Sequence, residues 1–172
     1  MLCFAYGSNM STHRLAARIP ARFMATALLP GYRLAFHQRS GDGSGKCDIV
    51  PASTQAAVYG VIWDVASHHK PTLDQYEGLG HAYEETWLTV SDLASSQQYE
   101  VQAYVGKITA HGMRPYGWYK HHVLAGAREH SLPLAYIRAL ERIEAFNDPD
   151  AERHAREMAL HGVSEPLVRE AF

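Results

Sequence analysis

A chain of 172 residues and 19.2 kDa has the size of one ordinary domain, and roughly two-thirds of the surface exposed by its unfolded form can be buried. Apolar residues make up 47% and charged residues 20%, the balance of a packed globular protein, which excludes disorder as the main state. With 16 Lys and Arg against 18 Asp and Glu, the net charge is −2 and the pI about 6.6. That leaves no electrostatic footprint for nucleic acid or an anionic membrane.

The N-terminal Met1-Leu2-Cys3-Phe4-Ala5-Tyr6 has neither the basic start of a signal peptide nor the length of a membrane span, so a cytoplasmic protein is expected. Residues 2–6 read as a short buried strand. Residues 11–19 read as a short helix with Ser11 at its N-cap. Residues 23–37 form an extended stretch bent at Pro30-Gly31, and the loop Ser40-Gly41-Asp42-Gly43-Ser44-Gly45-Lys46 follows. Ala57-Val58-Tyr59-Gly60-Val61-Ile62-Trp63 is apolar on both alternating sets, as a central strand requires. A helix over 67–76 ends at Gly78, a residue suited to the left-handed position past a helix.

Strands are predicted over 83–91 and 98–106. In the second, Tyr99, Val101, Ala103 and Val105 share one face while Glu100, Gln102 and Tyr104 share the other, which puts Tyr104 toward solvent or a polar pocket. Helices are predicted over 118–130, 133–146 and 150–160. Strands first and helices last make one α+β domain over 1–172. Cys3 and Cys47, the two cysteines, read as reduced and partly buried residues. The 11 histidines are scattered without metal-ligand spacing, so no metal site is expected, and the net charge should turn positive below about pH 6.

Three local features bear on chemistry. Tyr6-Gly7-Ser8-Asn9-Met10-Ser11 runs a strand into a Gly-led turn and a helix. If Gly7 takes positive φ, successive N–H groups point into one cavity that suits an anion or a developing oxyanion; the alternative is a plain turn capped by Asn9 or Ser11. Leu73-Asp74-Gln75-Tyr76-Glu77-Gly78 sets a carboxylate at a helix C-terminus near Tyr76 and Tyr83. Dipole and desolvation there both penalise the charged form and strengthen a general base; the alternative is a solvated helix end. Arg114-Pro115-Tyr116-Gly117-Trp118-Tyr119-Lys120 is an aromatic and basic cluster that also fits plain core packing.

In combination and order, these segments resemble the γ-glutamylcyclotransferase family, within the AIG2-like superfamily. The resemblance rests on Phe4-Ala5-Tyr6-Gly7-Ser8-Asn9, the strand Val58-Tyr59-Gly60-Val61-Ile62-Trp63, and Leu73-Asp74-Gln75-Tyr76-Glu77-Gly78. It continues through Tyr119-Lys120, Ala125-Gly126-Ala127-Arg128-Glu129 and Leu132-Pro133-Leu134-Ala135-Tyr136, spanning about residues 2–150.

The resemblance implies an α+β fold built on a small mixed β-barrel with flanking helices, a γ-glutamyl small-molecule substrate, no cofactor, and a homodimer. It implies cyclisation without water: the substrate's α-amine attacks its own γ-carbonyl and releases 5-oxoproline and an amine. Glu77 is implied as the catalytic acid/base, with Tyr6, Gly7, Ser8, Asn9, Tyr83, Tyr104 and Tyr119 binding substrate. Tyr83 follows Glu77 by six positions, a slightly shorter interval than in the family. A glutathione-specific branch resembles the chain less, because its first motif ends in Leu where Asn9 stands here. Leaving-group preference is open among γ-glutamyl amino acids, γ-glutamylamines and γ-glutamyl groups of metabolites. Two other readings are a non-catalytic binder of γ-glutamyl or other acidic small molecules, and a hydrolase using Cys3 or Cys47 as nucleophile.

Overall fold

The computed structural model describes residues 1–162; residues 163–172 of the domain expected over 1–172 lie outside them. In chain order the strands are β1 (Leu2–Ala5), β2 (Arg22–Pro30), β3 (Tyr32–Arg39), β4 (Gly45–Pro51), β5 (Ala57–Asp64), β6 (Tyr83–Asp92) and β7 (Gln98–Gly106). The helices are α1 (Thr12–Ala16), α2 (Lys70–Glu77), α3 (Gly117–Glu129), α4 (Leu134–Glu141) and α5 (Ala151–Ala159).

Five strands close into a barrel in the order β1, β5, β2, β6, β7. All neighbours are antiparallel except β1 and β7, which run parallel at Cys3 and Gln102 and close the ring. The residue pattern explains the closure. Ala25, Ala27 and Leu29 of β2 and Val101 and Ala103 of β7 alternate inward, and β5 buries Val58, Val61, Ile62 and Trp63, side chains of both its faces. Gly60 is required by space: a Cβ there would lie 2.3 Å from the Ala5 carbonyl oxygen, so β1 and β5 could not approach as they do.

The extended stretch over 23–37 divides between two sheets. Gly31, at φ +75, turns the chain out of the barrel, and β3 pairs instead with β4 from Tyr32↔Pro51 to Arg39↔Gly45. Strand β4 is absent from the sequence reading because its Gly-Lys-Cys-Asp start has no strand pattern. Distant partners hold it: Asp48 Oδ1 accepts from the Gly106 N–H at 2.8 Å, and Asp48 Oδ2 lies 2.7 Å from His37 Nε2. The Gly-Ser-Gly loop is the hairpin turn, tied by Ser44 and Lys46 to Asp42.

Helix α1 is capped by Ser11, which accepts from the Arg14 N–H. It is shorter than the helix expected over 11–19. The helix expected over 133–146 ends at Glu141, because Phe146 exchanges backbone hydrogen bonds with Pro115 and Gly117 and so cannot stay in a helical ladder. Four of the 11 histidines meet in space: His13, His121 and His122 gather against His161, and His122 is wholly buried beside Glu157. No helix among the described residues is long and apolar enough to cross a membrane.

Candidate active site

Beyond β1 the chain enters a single 3-10 turn over Ser8–Met10, with Met10 N–H donating to the Gly7 carbonyl and Ser11 N–H to that of Ser8. Gly7 does not take positive φ; it sits at φ −118. Its missing side chain matters for space instead, since a Cβ would stand 3.0 Å from Cys47 Cβ and 3.1 Å from the Tyr119 hydroxyl. The expected consequence survives by another route. At the head of this turn the N–H groups of Gly7, Ser8 and Asn9 have no acceptor among the described residues.

Two contacts fix the turn. Trp63 of β5 donates its indole N–H to the Asn9 carbonyl at 3.0 Å. Behind it, α3 packs so closely that a Cβ on Gly126 would fall 2.4 Å from the backbone of Met10 and Ser11.

Glu77 closes α2, whose Leu73 is buried in the core. The following Gly78 adopts φ +63, ψ +45, the left-handed cap expected of it. The carboxylate is mostly buried, and its Oε1 accepts from Asn9 Nδ2 at 2.8 Å and from Arg18 Nη1 at 2.7 Å. Oε2 has no donor among the described residues. The dipole and aromatic surroundings are therefore only part of its environment, because a guanidinium favours the charge that they disfavour.

Glu77 and all seven residues expected to bind substrate line one pocket, together with Cys3 and Cys47. It encloses about 60 Å³, room for a small polar group. Among its described lining residues Glu77 is the one carboxylate, and none carries a cationic side chain.

The tyrosines reach the pocket from different elements. Tyr6 donates its hydroxyl to the Tyr104 carbonyl, and Tyr83 donates to the Cys47 carbonyl at 3.0 Å. Tyr119 accepts from the Cys47 N–H at 3.1 Å, which leaves its own O–H proton for another acceptor. Burial pushes the phenols of Tyr6, Tyr83 and Tyr119 well above their usual range, so they act as neutral hydrogen-bonding groups. Tyr104 occupies the polar face read from the strand pattern, but its hydroxyl donates to Asp74 Oδ1 at 2.6 Å and not to Glu77.

The two thiols are poor nucleophiles. Burial pushes Cys3 up to about 11 and Cys47 up to about 12, which keeps both as thiols near neutral pH and counts against a cysteine hydrolase. Sequence reading missed Arg18, Asp74, and the Cys47 backbone as partners of the site. Arg18 carried only a faint signal, as a basic residue just past the helix that follows the Gly7 turn. Cys47 carried none, since its part is played by main-chain atoms.

A glycine-led turn with unpaired N–H groups, facing one carboxylate and neutral phenols, is equipped to take a proton from an amine and to stabilise an oxyanion. Comparison with known proteins identifies relatives of the chain. A profile of the AIG2-like family matches residues 57–140. The γ-glutamylcyclotransferase of Bos taurus is 32% identical over 150 residues, covering 83% of this chain and 78% of the relative, and that of Homo sapiens is 30% identical with the same coverage. A solved γ-glutamyl cyclotransferase superposes with a TM-score of 0.83 at 27% identity, over 95% of this chain and 99% of that one. With a third of its residues shared across most of its length, and with the barrel and pocket described above, the chain belongs to the γ-glutamylcyclotransferase family.

Proposed function

We propose that this protein is a γ-glutamylcyclotransferase that converts γ-glutamyl amino acids or γ-glutamylamines to 5-oxoproline and the free amino acid or amine. The observation that carries the reading is the position of Glu77. It is the one carboxylate among the described residues lining the pocket, it is held through Oε1, and its Oε2 has no donor among the described residues.

In this reading the substrate's α-amine reaches the pocket as an ammonium and gives a proton to Glu77. The amine nitrogen bonds to the γ-carbonyl carbon, forming a five-membered ring and an oxyanion. The N–H groups of Gly7, Ser8 and Asn9 stabilise that oxyanion, at about 3 kcal/mol per aligned donor. Protonated Glu77 returns its proton to the leaving nitrogen and the C–N bond to that nitrogen breaks; the second proton of the new ring nitrogen then passes through Glu77 to the freed amine, which departs as an ammonium and leaves the lactam of 5-oxoproline. Nucleophile and electrophile share one molecule, so binding the glutamyl chain in a folded conformation supplies much of the acceleration. Tyr6, Tyr83 and Tyr119 shape the pocket as uncharged donors and acceptors, and Tyr104 fixes its floor through Asp74. No step calls for a cofactor.

The same reading places the protein in the cytoplasm as a homodimer, the latter testable by sedimentation. The test of function is incubation of purified protein with γ-glutamyl dipeptides, γ-glutamylamines and glutathione, followed by mass spectrometry. Release of 5-oxoproline with an equal amount of amine is expected. Saturable binding without product would identify a binder instead.

A further inference from the structure

Glu77 meets one cation within hydrogen-bond distance among the described residues. Arg18 follows α1 and is 59 positions away in sequence, yet its Nη1 donates to Glu77 Oε1 at 2.7 Å and to Asn9 Oδ1 at 3.0 Å. Asn9 in turn gives its Nδ2 to the same Glu77 oxygen at 2.8 Å. The three side chains form a closed triangle that fixes the orientation of the Asn9 amide. Side-chain exposures of 12% for Arg18 and 15% for Glu77 leave the charge pair poorly screened by water. The Tyr76 ring covers the guanidinium at 5.3 Å. Arg18 Nε is buried without an acceptor, an unfavourable placement that makes sense if the residue is drawn into the site by the carboxylate.

A carboxylate that must accept a proton inside a pocket has to be charged before substrate arrives, and burial opposes that charge. Asn9 adds one neutral hydrogen bond to the charge, and no second cation among the described residues is in contact with it. Tyr6, Tyr83 and Tyr119 are neutral phenols, Lys70 is committed to Asp74 and Glu85, and Arg14 is committed to Glu157. Arg18 is not among the described residues lining the pocket, although its partners Glu77 and Asn9 are.

We propose that Arg18 is a positioning residue: it holds Glu77 as a carboxylate through Oε1 and orders Asn9, which leaves Oε2 to exchange the proton with the substrate. The inference rests on the reading of Glu77 as the acid/base. It separates two properties of Arg18, its charge and its planar fork, which Lys and Gln substitutions divide.

The experiment compares the parent with Arg18→Gln and Arg18→Lys in steady-state kinetics from pH 4.5 to 9, alongside 13C NMR of protein labelled at glutamate carboxyls, with the Glu77 resonance assigned by Glu77→Gln. In Arg18→Gln, kcat should fall about thirtyfold or more while KM stays within about threefold. The acid limb of the kcat profile, and the pH at which the Glu77 resonance changes over, should both move up by about one unit or more. Arg18→Lys should keep both at the parent position and lose part of kcat, because charge is retained and the fork is lost. An acid limb and resonance in Arg18→Gln that match the parent would overturn the proposal, as would an Arg18→Lys protein displaced as far as Arg18→Gln. If Arg18→Gln does not fold, Arg18→Lys decides alone: a displaced limb or resonance overturns the proposal, an unmoved one supports it. A parent that makes no 5-oxoproline would refute the proposed reaction, and the NMR comparison would still decide whether Arg18 sets the charge of Glu77.

Discussion

The interior of the barrel and the pocket at its end are built from the same strands by opposite means. Inside, Val58, Ile62, Val90 and Val101 are fully buried and contribute only apolar surface, so the strand pattern places them and many arrangements of similar volume would serve. At the pocket, key polar side chains are fixed by polar partners far away in sequence: Glu77 by Arg18, Tyr104 by Asp74, Tyr83 by the Cys47 carbonyl. Burial without direction suffices for the core, whereas the site needs direction, and direction comes from pairs that no local pattern records.

The sharpest way to break this contrast is Glu77→Gln. It keeps shape and an acceptor for Arg18 and Asn9 but removes the base, and turnover should fall at least about a hundredfold with the far-ultraviolet circular dichroism unchanged. An active Glu77→Gln protein would sink the mechanism. Ile62→Ala should do the reverse, lowering unfolding free energy by about 2–5 kcal/mol in urea titration while activity per folded molecule persists. Loss of activity out of proportion to unfolding would show that core and site are not separable. Tyr83→Phe removes one hydrogen bond to the Cys47 carbonyl. It should cost about 1 kcal/mol of stability and only a modest part of kcat, read by melting and by rate.

The smallest effect lies in the histidine cluster. Burial holds His122 below the usual histidine range and, with its histidine neighbours, brings His161 to about 4. The folded state therefore binds fewer protons than the unfolded one between about pH 6.5 and 4, so stability is fully present above 6.5 and is lost as pH falls through that window. Glu157, held below the usual carboxylate range by His122 and Arg14 against the opposing effect of burial, adds a loss in the same direction at lower pH. Melting temperature should decline on acidification over this range, and His122→Gln should flatten the decline.

What could be read from the sequence follows the same division. The β5 strand, the α2 helix with its Gly78 cap, and the inward face of β7 are legible, because each rests on periodicity or turn chemistry within ten residues. The grouping of Tyr6, Gly7, Ser8, Asn9, Glu77, Tyr83, Tyr104 and Tyr119 around one pocket came from family resemblance, since no spacing brings residues so far apart together. Strand β4 was illegible because Asp48 is held by Gly106 and His37, and the bond that Tyr104 makes to Asp74 depends on how α2 docks on the barrel. Gly7 shows the limit of turn chemistry: a glycine was needed there, but for the room that Cys47 and Tyr119 leave, not for its φ.

The central claim is that the pocket joins two parts of one substrate and does not admit water as the nucleophile. Turnover of a γ-glutamyl dipeptide in water enriched in oxygen-18, with products weighed by mass spectrometry, tests it most directly. Unlabelled 5-oxoproline appearing in step with the released amino acid is the predicted result. Glutamate carrying oxygen-18 in its γ-carboxylate, in place of 5-oxoproline, would contradict the account.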